Sequence, residues 1–377
     1  MAVLNQVRAL RDANDYGIES KGPSRGMIQD LLMEIYNWFT VGETITGAEH
    51  TGSGIFKKFG IMRRSVMSKT TDNSARLVIS APKINVENTK DFITDLDHCS
   101  LPLSAACATL YPFMIFYLER YWFNEFNGMT RYPYAYPDGT VKWIELDNPL
   151  IQFSNDRFDE EMNEFIHGYS NRFKPVTIRD INGDEYQLGF KGYYISEEEY
   201  AQGKRESGNF LQRPLTWVDV LYQCACMANE GKHYILTRYP MDSYTNQIYA
   251  KANISSTKRT RPMVVGGKLY KWYPDIQADE IGKETSSKFV DTLSVSNLYL
   301  SGAGADYDGD QMSVKAIYSE EANRELEEYL QSKAQYISLS GSNMRTTDKE
   351  ALQVLYNMTL ILPDEIKSIT PSEKILF

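Results

Sequence analysis

The chain has 377 residues, of which 42% are hydrophobic and 24% charged, with a formal net charge of −10 at pH 7. Its mean hydropathy is −0.43. This is ordinary globular composition with room for an extensive core, and with no apolar run of about 18 residues and no signal-like N-terminus, neither membrane insertion nor secretion is expected.

In chain order, Met27, Ile28, Leu31, Leu32, Ile35, Tyr36 and Phe39 have helical apolar spacing, which predicts a helix over 27–38. The Gly- and Thr-rich stretch 42–60 reads as a loop, followed by strands over 59–68 and 74–81. Leu101-Pro102 opens an apolar helix running to about Arg120. From 122 to 211 the sequence turns acidic and aromatic. There Pro137-Asp138-Gly139 marks a turn, 158–165 and 196–202 read as short helices, and 176–179 with 185–188 flank a hairpin signal at Asn182-Gly183. A helix is expected over 217–230. Strands are expected over 234–238, 247–254, 263–271, 289–295 and 311–318. Ser319 then caps a helix over 321–330 whose early acids suit its N-terminal dipole, and a last helix spans 348–358.

Charge is segregated along this order. Between Lys57 and Arg76 six basic residues face one acid, Asp72, and between Lys251 and Lys271 there are six basic residues and no acid. Local patches rather than total charge attract a polyanion, so this distribution fits a phosphate-binding channel in an acidic shell; two solvated basic faces are the plain alternative. The four cysteines, Cys99, Cys107, Cys224 and Cys226, lack Cys-x-x-Cys spacing. Reduced, buried thiols are therefore expected, and structural zinc is not.

The most informative residues are Asp306, Asp308 and Asp310 in Gly304-Ala-Asp-Tyr-Asp-Gly-Asp-Gln-Met312. In an extended or gently turning segment alternate side chains point the same way, so the three carboxylates can converge. Converging carboxylates repel unless a cation neutralises them, and oxygen-only ligands suit Mg²⁺, Mn²⁺ or Ca²⁺ rather than zinc or copper. Gly309 permits a tight backbone turn between the last two. An EF-hand loop would need Gly and Glu where Gln311 and Ile317 stand. A haloacid-dehalogenase-type phosphohydrolase using Asp306 would need a hydroxyl residue at Asp310 and an apolar strand in place of Ser301–Ala305. A solvated acidic turn is the simplest alternative.

The flanks of the triad bring in a family. The stretch from Gly304 to Val314 resembles the signature Asn-Ala-Asp-Phe-Asp-Gly-Asp-Gln-Met-Ala-Val of the largest (β′) subunit of multisubunit DNA-dependent RNA polymerases, matching at eight of eleven positions. Ser68-Lys-Thr-Thr-Asp-Asn-Ser-Ala-Arg-Leu-Val-Ile79 is similar to its Gly-Lys-Arg-Val-Asp-Tyr-Ser-Gly-Arg-Ser-Val-Ile. Thr237-Arg238-Tyr239-Pro240 looks like its Asn-Arg-x-Pro, and Thr346 to Thr359 follows its Thr-Pro-Ser-Gln-Asp and Gly-Leu-Tyr-Tyr-Met-Thr pattern. All four segments stand in the family's order.

That resemblance implies an α+β fold built on a double-psi β-barrel catalytic core with flanking helices and an inserted acidic region. Its parts would be an N-terminal helical segment (1–58), the first part of the barrel with its following helix (59–121), a lineage-specific insertion (122–211), the second part of the barrel with the metal loop (212–318) and a C-terminal helical segment (319–377). It implies nucleotidyl transfer to an RNA 3′-hydroxyl with two Mg²⁺ ions, one held by Asp306, Asp308 and Asp310 and one arriving with the nucleoside triphosphate, and no zinc. Arg238 and Pro240 would border the nucleotide, and Lys69 and Arg76 would hold template or hybrid phosphates. The partners implied are the DNA template, the RNA product, β-like subunits and a second β′-like chain carrying the bridge helix and trigger loop. Split, zinc-free subunits of this kind further imply a large bacteriophage, acting in the cytoplasm of the infected cell or packaged in the virion. A non-catalytic assembly subunit that retains the motif is the alternative within the same resemblance. Two residues depart from the family's pattern: Gly304 and Thr237 stand where it has Asn.

Overall fold

The structure is a computed structural model, and it describes residues 73–82, 96–123, 131–145, 154–168, 172–179, 182–194, 197–203, 210–241, 243–283, 286–338 and 340–346 with a few isolated flanking positions. The chain divides into two compact units, Met1–Asp72 and Asn73–Phe377. In the first, Gln29, Asp30, Leu32, Met33 and Ile35 are described and are helical, within the helix expected over 27–38. The strand expected over 59–68 lies outside the described residues, as does the helix over 348–358 except for helical Tyr356.

The second unit begins with β1 (Ser74–Ser80) and β2 (His98–Pro102), followed by α1 (Leu103–Thr109) and α2 (Tyr111–Leu118), which runs into a short π-helical turn, Glu119–Phe123. A single helix over 101–120 was expected; instead Leu101 and Pro102 finish a strand and the helix breaks at Leu110. Pro112 supplies the reason. It has no N–H for a carbonyl four residues back and its ring would clash there, so it fits only the first turn of a new helix.

β3 (Arg131–Ala135) and β4 (Val141–Glu145) form a hairpin. Its expected turn is closed by the Asp138 carboxylate, which accepts from the Thr140 amide at 2.9 Å and hydroxyl at 2.7 Å. Next come α3 (Asn155–His167), a hairpin of β5 (Thr177–Arg179) and β6 (Glu185–Gln187), β7 (Gly189–Tyr194), α4 (Glu197–Ala201), β8 (Phe210–Pro214) and α5 (Trp217–Asn229). The chain continues through β9 (His233–Arg238), β10 (Gln247–Ser255), β11 (Thr260–Val265), β12 (Lys268–Pro274), β13 (Leu293–Ser294), α6 (Leu300–Ala303), β14 (Gln311–Ala316) and α7 (Glu320–Gln331). Ser319 caps α7 as expected, accepting from the Ala322 amide at 3.4 Å.

Six strands close a barrel in the order β1-β13-β2-β10-β9-β14. The β1·β13 and β2·β10 pairs are parallel and the other four are antiparallel. Along β14 Met312, Val314 and Ala316 are buried and pair with Arg238, Leu236 and Tyr234, which sets the inward face. Ala250, Ala252 and Ile254 continue that core on β10.

The stretch 263–271, expected as one strand, is two strands turned at Gly266-Gly267, whose φ angles of 57° and 79° are both positive. A two-residue turn of the type I′ kind needs two such residues, and glycine adopts them without strain. This hairpin leaves the barrel and joins a four-stranded sheet, β12-β11-β7-β8. The expected strand 289–295 shortens to β13. Because β7 comes from the 122–211 stretch, that stretch shares a sheet with later strands. Its Tyr132, Phe158, Phe165, Phe173 and Ile178 also enter the same apolar cluster as Leu236 and Val314.

Between β8 of the second sheet and α5, Arg213 and Asp219 form a fully buried pair, with Nη1 and Nη2 each 2.7 Å from a carboxylate oxygen. Asp219 also accepts from the Tyr273 hydroxyl at 2.8 Å and from the Thr216 amide and hydroxyl at the start of α5. The cysteines are free; three are buried and Cys226 is half-buried, and burial pushes the Cys99 thiol up to about 12. Among the described residues no helix is long and apolar enough to cross a membrane.

Candidate metal centre

The triad occupies the connection between α6 and β14. Gly304 ends α6 in the left-handed conformation, φ 59° and ψ 36°, with its own amide donating to Ser301 O at 3.2 Å and the Ala305 amide to Leu300 O at 3.0 Å. That conformation is costly for residues with a Cβ, Asn being the best tolerated of them. A Cβ on Gly304 would meet only Arg238 Nη1, at 3.8 Å. The helix end is itself held: Asn246 Nδ2 donates to the buried carbonyl of Ala303 at 3.0 Å.

From there the side chains alternate. Tyr307 turns toward the body of the protein, its hydroxyl 3.0 Å from Val295 O and 2.7 Å from Asn297 Oδ1, while Asp306 and Asp308 stand exposed on either side of it. Gly309, at φ 123°, bends the chain into β14. Asp310 is half-buried, and its carbonyl accepts from the Ile79 amide of β1 at 2.9 Å. The result is a carboxylate from each aspartate with ligand atoms within 4.8 Å of one another. The convergence expected from the alternate spacing is present.

Arg238 ends β9 opposite Met312 and donates from Nε to Asp310 Oδ2 at 2.9 Å. The Asp306 amide donates to the same oxygen at 3.2 Å. These contacts, the Arg238 hydrogen bond first, hold the Asp310 carboxyl below the usual carboxylate range. Asp308 moves the other way: its hydrogen bond with Asp306, then the charges of Asp306 and Asp310, push its carboxyl up. One guanidinium therefore balances one carboxylate, and the other two remain crowded. A hard divalent cation would relieve that crowding, and the donor set is all oxygen, so the residues present fit such an ion. Among the described residues this is the single cluster able to hold a metal.

The other expected site residues are distributed unevenly. Pro240 follows Tyr239 across a cis peptide bond immediately beyond Arg238, in the β9–β10 connection. Arg76 does not join the cluster; it is exposed in mid-β1 opposite Ser313, on the strand face away from the buried Met312 and Val314. Lys69 lies outside the described residues. Of the basic residues between 251 and 271, Lys251 pairs with Glu327, Arg261 with Asp275 and Lys268 with Glu230, so at least half of that charge is balanced locally.

Sequence reading missed Asn246, since nothing local marks an amide that reaches a carbonyl 57 residues away. It also assigned Arg238 to a ligand without anticipating its hold on Asp310. Compared with known proteins, the chain matches no protein-family model, and no curated protein matches it in sequence.

Proposed function

We propose that the chain is the catalytic β′-like subunit of a multisubunit DNA-dependent RNA polymerase. The observation that carries this reading is the aspartate triad on a loop entering a barrel strand, with Arg238 from the adjacent strand bound to its third member. The barrel is read as a double-psi barrel. Supporting this, its pairing pattern is unchanged when β1 is exchanged with β10, β13 with β2, and β14 with β9, as a fold with internal two-fold symmetry requires.

Asp306, Asp308 and Asp310 would hold one Mg²⁺, and a second would arrive with the nucleoside triphosphate. When bound, these ions supply Lewis-acid activation of the RNA 3′-hydroxyl and stabilise the pyrophosphate leaving group. The chain's own contribution is placement: Arg238 fixes Asp310 and presents its remaining guanidinium edge beside Gly304, toward the sugar or a phosphate. Catalysis then rests on positioning and electrostatics and needs no side-chain nucleophile. DNA template, RNA product, β-like chains and a second β′-like chain complete the proposed enzyme, with Lys69 and Arg76 as phosphate contacts and a large bacteriophage as the source.

The test is transcription by the assembly that co-purifies with this chain, carrying Asp308→Ala. Loss of RNA synthesis in Mg²⁺ with the assembly intact is the expected result. Undiminished synthesis overturns the assignment in favour of a non-catalytic assembly subunit.

A further inference from the structure

We propose that the connection between β9 and β10 is a stacking platform for the base of a nucleotide whose phosphates lie at the aspartate triad. This rests on the reading of the triad as a metal-bound phosphate site.

The connection is fastened to the triad segment at both ends. At one end Arg238 Nε holds Asp310 Oδ2 at 2.9 Å; at the other Asn246 Nδ2 holds Ala303 O at 3.0 Å. The second fastening is stiffened locally, since the Ser243 amide donates to Asn246 Oδ1 at 2.9 Å and the Thr245 amide to Ser243 Oγ at 3.3 Å. Packing is tight beside it: a Cβ on Gly302 would stand 3.7 Å from Thr245 Cβ and 3.3 Å from Met344 O.

Between these fastenings hang Tyr239, Met241 and Tyr244, which are 64%, 55% and 60% exposed. The same protein buries Tyr132, Tyr234 and Tyr273 completely. Single exposed apolar side chains are ordinary, but here three fall within one short connection that is hydrogen-bonded at both ends to the segment carrying the triad.

The chemistry of the two neighbours selects the occupant. A hard cation on the triad and the Arg238 guanidinium recognise phosphate and hydroxyl oxygens. Inorganic phosphate would leave the aromatic turn uncovered, whereas a nucleotide brings an apolar π-face on the same molecule. Tyrosine rings stack on any base, and the Met241 thioether adapts to its outline. The platform thus adds affinity without reading base identity, which suits a site that must accept every nucleotide in turn.

The test uses the full-length chain in Mg²⁺ and measures binding of ATP and of inorganic tripolyphosphate by calorimetry, with the fluorescence quench of 2-aminopurine riboside triphosphate as a direct report of stacking. ATP should bind about tenfold more tightly than tripolyphosphate, the scale of one base–aromatic contact. The Tyr239→Ala/Tyr244→Ala variant should lose that preference and the quench while keeping its affinity for tripolyphosphate, and Tyr239→Phe/Tyr244→Phe should keep both. A wild-type chain that binds ATP and tripolyphosphate equally, or an alanine variant that retains the preference, overturns the platform alone. Failure of tripolyphosphate to bind at all in Mg²⁺ overturns the platform together with the phosphate reading of the triad.

Discussion

Two carboxylate sites in this protein receive opposite treatment. Asp219 is fully buried, yet every group around it is a donor: two guanidinium nitrogens, the Tyr273 hydroxyl, and the amide and hydroxyl of Thr216. Burial pushes its carboxyl up, but the Arg213 charge and these hydrogen bonds outweigh that and leave it below the ordinary range. Asp308 is exposed, where water should ease any charge, and its carboxyl is nevertheless pushed up by Asp306 and Asp310. Structural charge is thus balanced from within the chain, whereas the triad is left short of positive charge where a ligand can supply it.

The largest expected effect lies at the buried pair. Asp219→Ala strands Arg213 in the core and should cost about 3–5 kcal/mol in denaturant unfolding, because an uncompensated buried charge cannot be rehydrated. Arg213→Met combined with Asp219→Leu should recover much of that loss. If Asp219→Ala unfolds like the parent chain, the pair is not the structural balance described above.

At the triad the sign reverses. A carboxyl whose folded value is raised weakens the fold once it ionises, so stability is fuller at low pH and falls as pH rises through that value. Asp308→Asn removes the repulsion and should raise the melting temperature at neutral pH. Mg²⁺ should raise it for the parent chain, reversibly with EDTA, and should do nothing for Asp308→Asn. A variant that still responds to Mg²⁺ breaks the contrast between the two sites.

These cases also show what a sequence can disclose. The triad was legible because alternation, a period of two, is a local property, and Gly309 reinforced it. Gly266-Gly267 is an equally local hairpin signal and Pro112 an equally local helix break, but each is embedded in an apolar run whose periodicity continues across it and masks the punctuation. The strand pairing of the barrel was not legible from the residues themselves, because parallel neighbours such as β2 and β10 lie some 150 residues apart. The hold of Arg238 on Asp310, at a separation of 72, and of Asn246 on Ala303 belong to the same class.

Glu327 stands between the two extremes and should give the smallest effect. On α7, at the end of β9 far from the triad, it accepts from Lys251 Nζ at 2.9 Å, from the ring of buried His233 and from Gln331. These contacts, with Lys251 first, bring its carboxyl down to about 2 from 4.5. A depressed carboxylate contributes stability that is present above its ordinary value and lost as pH falls through the folded one. The window is therefore pH 4.5 down to 2. With its side chain 35% exposed, solvent screens much of the interaction. Across that window the parent chain should lose melting temperature slightly more steeply than Glu327→Gln, with the curves running parallel above pH 5. If they run parallel throughout, Glu327 behaves as an ordinary surface carboxylate, and charge balance as a structural device is confined to the fully buried pair.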